Sequence, residues 1–210
     1  MSDTVRIWLA DVGALDDDRL AHFASLLGAD ESARLCRFAR PQRRRQFIAG
    51  RILLRHAASV LLQVASAQLR VVERPGQAPL LFYGATEAPV HFSLSHSGRW
   101  IACAASATLA VGLDVERLDA ARDLVALAGQ AFGDEVARRL AALPLAQRLP
   151  SFYRRWSEHE ALYKLGAAAG SAPACVALPH PELAIVLCSA AALAMPPRLT
   201  VVTLAPPFGL

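Results

Sequence analysis

Asp114 and Glu116 stand two positions apart at the end of Leu109-Ala110-Val111-Gly112-Leu113-Asp114-Val115-Glu116, a run otherwise apolar and inclined to β-structure. On a strand alternate residues share a face, so these two carboxylates point the same way. Forty residues past Glu116 comes Trp156-Ser157-Glu158-His159-Glu160-Ala161-Leu162-Tyr163-Lys164. There Glu160 and Lys164 are one helical turn apart and lie side by side. Three carboxylates that converge repel one another unless a cation sits between them. A hard divalent ion with oxygen ligands, completed by phosphate oxygens, is the usual resolution. A lysine beside such a site points to a phosphorylated substrate.

Composition narrows the remaining choices. A chain of 210 residues, 54% hydrophobic, is long and apolar enough for one large domain or two small ones and is not a disordered segment. No apolar run reaches the length that spans a bilayer. Met1 to Asp11 has acids at Asp3 and Asp11 and no basic start before an apolar core, so a cytoplasmic protein without a signal peptide or membrane partner is expected. Cys36, Cys103, Cys175 and Cys188 are widely spaced, with no C-x-x-C pair, and read as free, mostly buried thiols. The net charge of +4 rests on 21 arginines and a single lysine, Lys164. Such a balance favours anionic partners. Nucleic acid is not expected among them, because no aromatic and basic residues interleave. A compact ammonium fits where a planar guanidinium cannot, which singles out Lys164.

Periodicity predicts strands over Val5 to Val12, Leu69 to Glu73, Leu80 to Phe82, Val90 to Ser97, Trp100 to Ala105, Leu109 to Glu116, Leu183 to Cys188 and Arg198 to Leu204. Helices are expected from Asp16 to Leu27, Ser32 to Phe38, Gln42 to Gln63, Ala120 to Phe132, Asp134 to Leu143 and Ser151 to Leu165. The strand Val90 to Ser97 is rich in hydroxyls and histidine.

Taken with Phe92-Ser93-Leu94-Ser95-His96-Ser97, the G-x-D-x-E strand and the W-S-x-x-E-A-x-x-K helix resemble the 4'-phosphopantetheinyl transferases. The match is to the longer, surfactin-synthetase-activating type and covers roughly residues 35 to 170. It implies an α+β pseudo-dimer of two similar halves, 1–108 and 109–210, each a small antiparallel sheet packed with helices. It implies a monomer that transfers 4'-phosphopantetheine from coenzyme A to a serine of an apo acyl or peptidyl carrier protein and releases 3',5'-ADP. A degenerate, non-catalytic carrier-protein or nucleotide-binding module is the alternative.

Carried over by position, the resemblance assigns magnesium to Asp114, Glu116 and Glu160. It assigns phosphate contact to Lys164, and contact with the coenzyme's 3'-phosphate to Ser95 and His96. Glu160, or a metal-bound water it holds, is the expected base for the carrier serine, with His159 the second candidate. Three positions depart from the family pattern: His159 and Gln46 stand where cations are usual, and the turn reads Gly76-Gln77-Ala78-Pro79 rather than Gly-Lys-Pro. Coenzyme binding is therefore expected from Gly76 and Pro79 in that turn, and from arginines that replace the missing cations. Arg43, Arg44, Arg45, Arg51, Arg154 and Arg155 are available, with Arg45 and Arg51 preferred.

Overall fold

The structure, a computed structural model, describes residues 5–74, 76–170 and 172–205. In chain order the elements are β1 (Arg6–Asp11), α1 (Asp17–Ser25), α2 (Ala29–Leu35), α3 (Pro41–Leu62), β2 (Leu69–Val72), β3 (Leu80–Tyr83), β4 (Thr86–Glu87), β5 (His91–Ser97), β6 (Trp100–Ser106) and β7 (Val111–Arg117). Then follow α4 (Leu124–Phe132), α5 (Asp134–Ala142), α6 (Leu145–Leu165), β8 (Ala174–Leu178), β9 (Leu183–Ser189) and β10 (Arg198–Val202). No helix among the described residues is long and apolar enough to cross a membrane.

The fold is α+β. One sheet has the strand order β10-β1-β6-β5, a second β7-β9-β8, and a small third β2-β3-β4. Strand alternation sorts the apolar residues into layers. On the outer face of the first sheet, Trp8, Ala10, Ile101 and Cys103 meet Ala49, Ile52, Leu53 and Ala57 of α3. On its inner face, Ile7, Leu9, Ala102 and Ala104 meet Val111, Leu113, Val115, Ile185 and Leu187 of the second sheet. Helix α6 covers the far side of that second sheet, with Ala161 and Leu165 against Val186 and Cys188. Helices α4 and α5 pack onto α6 around Ala128, Leu140, Phe152 and Tyr153.

Gly112 sets how closely α6 lies. A Cβ there would come within 2.0 Å of the Ala161 carbonyl oxygen and 2.8 Å of the Leu165 nitrogen. The missing side chain lets the helix rest directly on β7. Asp114 and Glu116 follow on the same face, so both are carried under the helix that bears Glu160 and Lys164.

Several details differ from the sequence reading, among them the short β4 and the starts of α2 and α4, which lie at Ala29 and Leu124 and not at Ser32 and Ala120. The last strand does not stay with the second sheet: β10 runs parallel to β1, pairing Ile7 with Leu199 and Leu9 with Val201, and so covers an edge that would otherwise be unpaired. That sheet is thus not purely antiparallel. Strand β8 was not expected. Cys175 and Cys188 are not free thiols but a disulfide, because β8 and β9 place them directly opposite each other. Helix α6 begins six residues earlier than Ser151 and tolerates Pro150 inside it. The proline lies near the helix start, where Arg148 also ties the helix to the Leu143 and Ala141 carbonyls at 2.9 and 2.6 Å.

Candidate active site

The two larger sheets meet along β5 and β7, and the joint is made by side chains. The outer edge of β7 presents the N–H groups of Leu113, Val115 and Arg117. Ser93, Ser95 and Ser97 of β5 accept them at 2.9, 3.1 and 2.9 Å. Three hydroxyls at alternate positions thus satisfy a strand edge that no backbone pairs.

Asp114, 3% exposed, lies at the centre of this joint. Its Oδ1 accepts from Lys164 Nζ at 2.8 Å and from Ser95 Oγ at 3.0 Å. Its Oδ2 is buried and has no hydrogen-bond partner among the described residues. Lys164 also donates to Ser95 Oγ at 2.9 Å and to the Leu113 carbonyl at 3.0 Å, so all three of its protons are engaged. Ser95 is as fully used, with one proton given and two bonds accepted. Glu116 accepts from Ser97 Oγ at 2.7 Å. Burial pushes its carboxyl above the usual range and the neighbouring Asp114 adds to the rise, while Ser97, Lys164 and Arg122 oppose it.

Glu160, one turn before Lys164 on α6, is half-buried. Among the described residues no three His, Cys, Asp or Glu side chains come close enough together to hold a metal ion. Asp114 and Glu116 share one face of β7, as the strand pattern requires, but with Glu160 they do not form a closed group of three among the described residues. The donor set still suits a hard divalent cation. It offers carboxylate oxygens only, one of them buried and unpartnered, which is the atom such an ion would satisfy.

On the α3 side of β5, the Arg43 guanidinium donates to the His96 imidazole and, at 3.0 Å, to Gln46 Oε1. Gln46 in turn donates to the Gly98 carbonyl at 2.8 Å. Position 46 is thus not an empty place for a cation: its buried amide holds the cation of the preceding turn. Partial burial, then the charges of Arg43 and Lys164, push His96 down to about 4. It is a neutral acceptor at neutral pH. A cavity of about 140 Å³ opens here between Arg43, His96, Gln46 and Arg51. It shares Arg34 and Phe38 with a neighbouring cavity of about 520 Å³ that Arg37, Arg74 and Gly76 also line.

The two preferred arginines are engaged elsewhere. Arg45 turns to the opposite side of α3, where it bonds the Leu15 carbonyl at 2.7 Å and pairs with Asp17. Arg51 borders the small cavity, but its guanidinium is 2.5 Å from Glu73 and 3.7 Å from Glu31, in a buried network that also joins Arg34 and Arg55. Stripping one partner from such a network costs about 3–5 kcal/mol, so Arg51 reads as a structural residue. Arg43 has no carboxylate within ion-pair distance among the described residues.

His159 is not brought to the acids: it lies exposed on another face of α6, with its ring 5.5 Å from Phe132 of α4. Pro79 is half-buried where the Gly76 turn enters β3. Beyond Glu116 a third cavity, about 760 Å³, is lined by Ser97, Arg117, Arg122, Tyr153 and Glu182 among others. Ser97, Gln46 and Arg122 were not candidates from the sequence. The signal for Ser97 was present in S-x-S-x-S, whose alternation matches that of L-D-V-E-R twenty residues on.

Comparison with known proteins bears on the same region. Residues 16–108 match the family described as 4'-phosphopantetheinyl transferase, N-terminal. The chain is 34% identical over 164 residues, 78% of its length and 69% of the relative's, to the 4'-phosphopantetheinyl transferase HetI of Nostoc sp.. A putative 4'-phosphopantetheinyl transferase of Synechocystis sp. is 27% identical, with 76% of this chain and 63% of the relative aligned. The 4'-phosphopantetheinyl transferase AcpT of Escherichia coli is 33% identical over 58% of this chain and 57% of its own length. At 34% identity over 164 residues to one relative, and with residues 16–108 matching the family's N-terminal region, the chain belongs to the 4'-phosphopantetheinyl transferase family.

Proposed function

We propose that this chain transfers the 4'-phosphopantetheine group of coenzyme A to a serine of an apo acyl or peptidyl carrier protein, with magnesium held by Asp114, Glu116 and Glu160. The observation that carries the reading is Asp114 Oδ2. It is a buried carboxylate oxygen with no partner, set beside a lysine and followed on the same strand face by Glu116. Burying such an atom is costly unless something cationic completes it. The ion, when bound, supplies charge neutralisation at the coenzyme's diphosphate.

The chain's own residues account for the rest. Arg43, with neutral His96 beside it, grips the 3'-phosphate. Arg34, Arg37, Arg74 and the Gly76 turn line the space for the nucleotide. Lys164 holds Asp114 by one oxygen and leaves the other open. The Glu160 side chain makes no hydrogen bond or ion pair among the described residues, which leaves its carboxylate able to take the proton of the carrier serine. The serine oxygen then forms a bond to the phosphorus that bears pantetheine. The bond from that phosphorus to the bridging oxygen breaks, and 3',5'-ADP leaves with the electron pair.

We further infer that the chain is of the longer, surfactin-synthetase-activating type, with two related halves meeting near residue 108. In support, α3 of 22 residues and α6 of 21 residues each cover the outer face of one of the two larger sheets. The decisive test is to incubate the protein with coenzyme A, magnesium and apo carriers of fatty-acid, polyketide and peptide type. The expected result is that one carrier gains the mass of a phosphopantetheinyl group, and that excess chelator prevents it. Failure with all three types would remove the transfer reading. Full turnover in chelator would remove magnesium alone.

A further inference from the structure

The serine ladder between β5 and β7 contains more than an edge repair. Ser93 accepts the Leu113 N–H at 2.9 Å and bonds no carboxylate among the described residues. The next two serines each add a second bond, to the acid that immediately precedes the N–H they accept. Ser95 takes the Val115 N–H at 3.1 Å and gives its proton to Asp114 Oδ1 at 3.0 Å. Ser97 takes the Arg117 N–H at 2.9 Å and gives its proton to Glu116 Oε2 at 2.7 Å. A hydroxyl has one proton, so the direction of both bonds follows from the acceptor character of an ionised carboxylate. Each serine therefore ties one oxygen of its acid towards β5, and no bond to the other oxygen is made among the described residues.

We propose that Ser95 and Ser97 are positioning residues, which fix Asp114 and Glu116 so that their free oxygens are presented together to a divalent cation. The proposal rests on the reading that these acids hold the ion. It also reassigns Ser95. At 4% exposure, with Val115, Lys164 and Asp114 taking up its whole bonding capacity, its hydroxyl acts on the acid and not on the coenzyme. The turn after Ser97 is itself held in place. Gln42 and Gln46 donate to the Gly98 carbonyl at 3.0 and 2.8 Å, and Arg99 reaches Glu182 at 3.3 Å. Groups that orient a ligand in this manner typically change ion affinity by about 10–100-fold when removed.

Ser93 supplies the control, because it makes the same backbone bond without an acid. The experiment is a titration of the protein and coenzyme A with Mn²⁺, followed by electron paramagnetic resonance, with a thermal melt of each variant. Wild type is expected to bind Mn²⁺ saturably, and Ser97→Ala and Ser95→Ala to bind it about 10–100-fold more weakly. Ser93→Ala is expected to lower Tm yet leave Mn²⁺ affinity unchanged. Ser97→Ala is expected to add no further loss in a Glu116→Gln background, as coupling through that acid requires. Should the alanine variants melt too low, Ser97→Thr and Ser97→Val differ mainly by the hydroxyl, and only threonine should restore binding. Wild-type affinity in Ser97→Ala, or an equal loss in Ser93→Ala, overturns positioning while the ion reading stands. No saturable Mn²⁺ binding by wild type overturns both.

Discussion

Lys164 Nζ lies 2.8 Å from Asp114 Oδ1, and the other oxygen of that buried carboxylate meets no donor among the described residues. The single lysine is therefore matched to three acceptors at once: a carboxylate, a hydroxyl and a carbonyl. A planar guanidinium cannot reproduce that tripod. Lys164→Arg is expected to lose most carrier loading, and Lys164→Met to lose it together with about 1–3 kcal/mol of stability, since Asp114 would keep only Ser95. Urea melts beside a loading assay check both. Wild-type turnover in Lys164→Arg would falsify the tripod argument.

Gly112→Ala tests the close approach of α6. Its Cβ would meet backbone of Ala161 and Leu165, which a rotamer change cannot relieve. The expected cost is about 1–3 kcal/mol, the range for overpacking. The displaced helix carries Glu160 and Lys164, so loading should fall further than stability explains. A variant as stable and as active as wild type would mean that the helix has room to spare.

Coenzyme recognition is expected to depend on Arg43. Arg43→Ala should raise KM for coenzyme A clearly more than for 3'-dephospho-coenzyme A, because it removes the one arginine that His96 and Gln46 hold at the small cavity. Arg45→Ala should leave that ratio unchanged, since Arg45 is occupied by Leu15 and Asp17. Steady-state kinetics with both substrates decides, and an equal response to Arg43→Ala removes the assignment.

His96 gives the fold a pH dependence whose sign is determined. Its folded value is pushed down to about 4, from an ordinary value of about 6.5. Between those values the unfolded chain binds the extra proton, so stability rises with pH across the window and is lost as pH falls from about 6.5 towards 4. His96→Gln keeps an acceptor without a titrating ring and should flatten that part of the curve. Denaturant midpoints measured at half-unit pH steps show it, and parallel curves for the two proteins would refute it.

His159→Ala and His159→Lys are both expected to load carrier at close to the wild-type rate, because the ring rests on Phe132 and not on the acids. Changes at exposed positions of this kind typically stay within about 0.5 kcal/mol. A collapse of turnover in either variant would return His159 to the reaction.

Much of this arrangement was legible in the sequence, where local rules apply. The alternation in Val111–Arg117 shows that Asp114 and Glu116 share a face, and the four-residue spacing places Glu160 beside Lys164. What escaped depends on partners distant in the chain. Arg45 and Arg51 lie in a basic run, and nothing local tells that Asp17, Glu31 and Glu73 claim them. The serines were visible as hydroxyls, but the N–H groups they serve lie on another sheet. The short, alanine-containing β8 carries little strand signal, and without it Cys175 and Cys188 have no reason to meet.

The parallel return of β10 to β1 has a consequence for biosynthesis. Strand β1 waits for a partner made much later, since residues 6–10 find their outer neighbour only in residues 198–202. Until then one flank of the first sheet is a bare row of amides and carbonyls, while β5 and β6 are already available to close the other. Completion of that sheet therefore comes only after the strands of the second sheet have been made. A chain cut short just before Arg198 would carry every residue of the active centre and still expose a template for self-association.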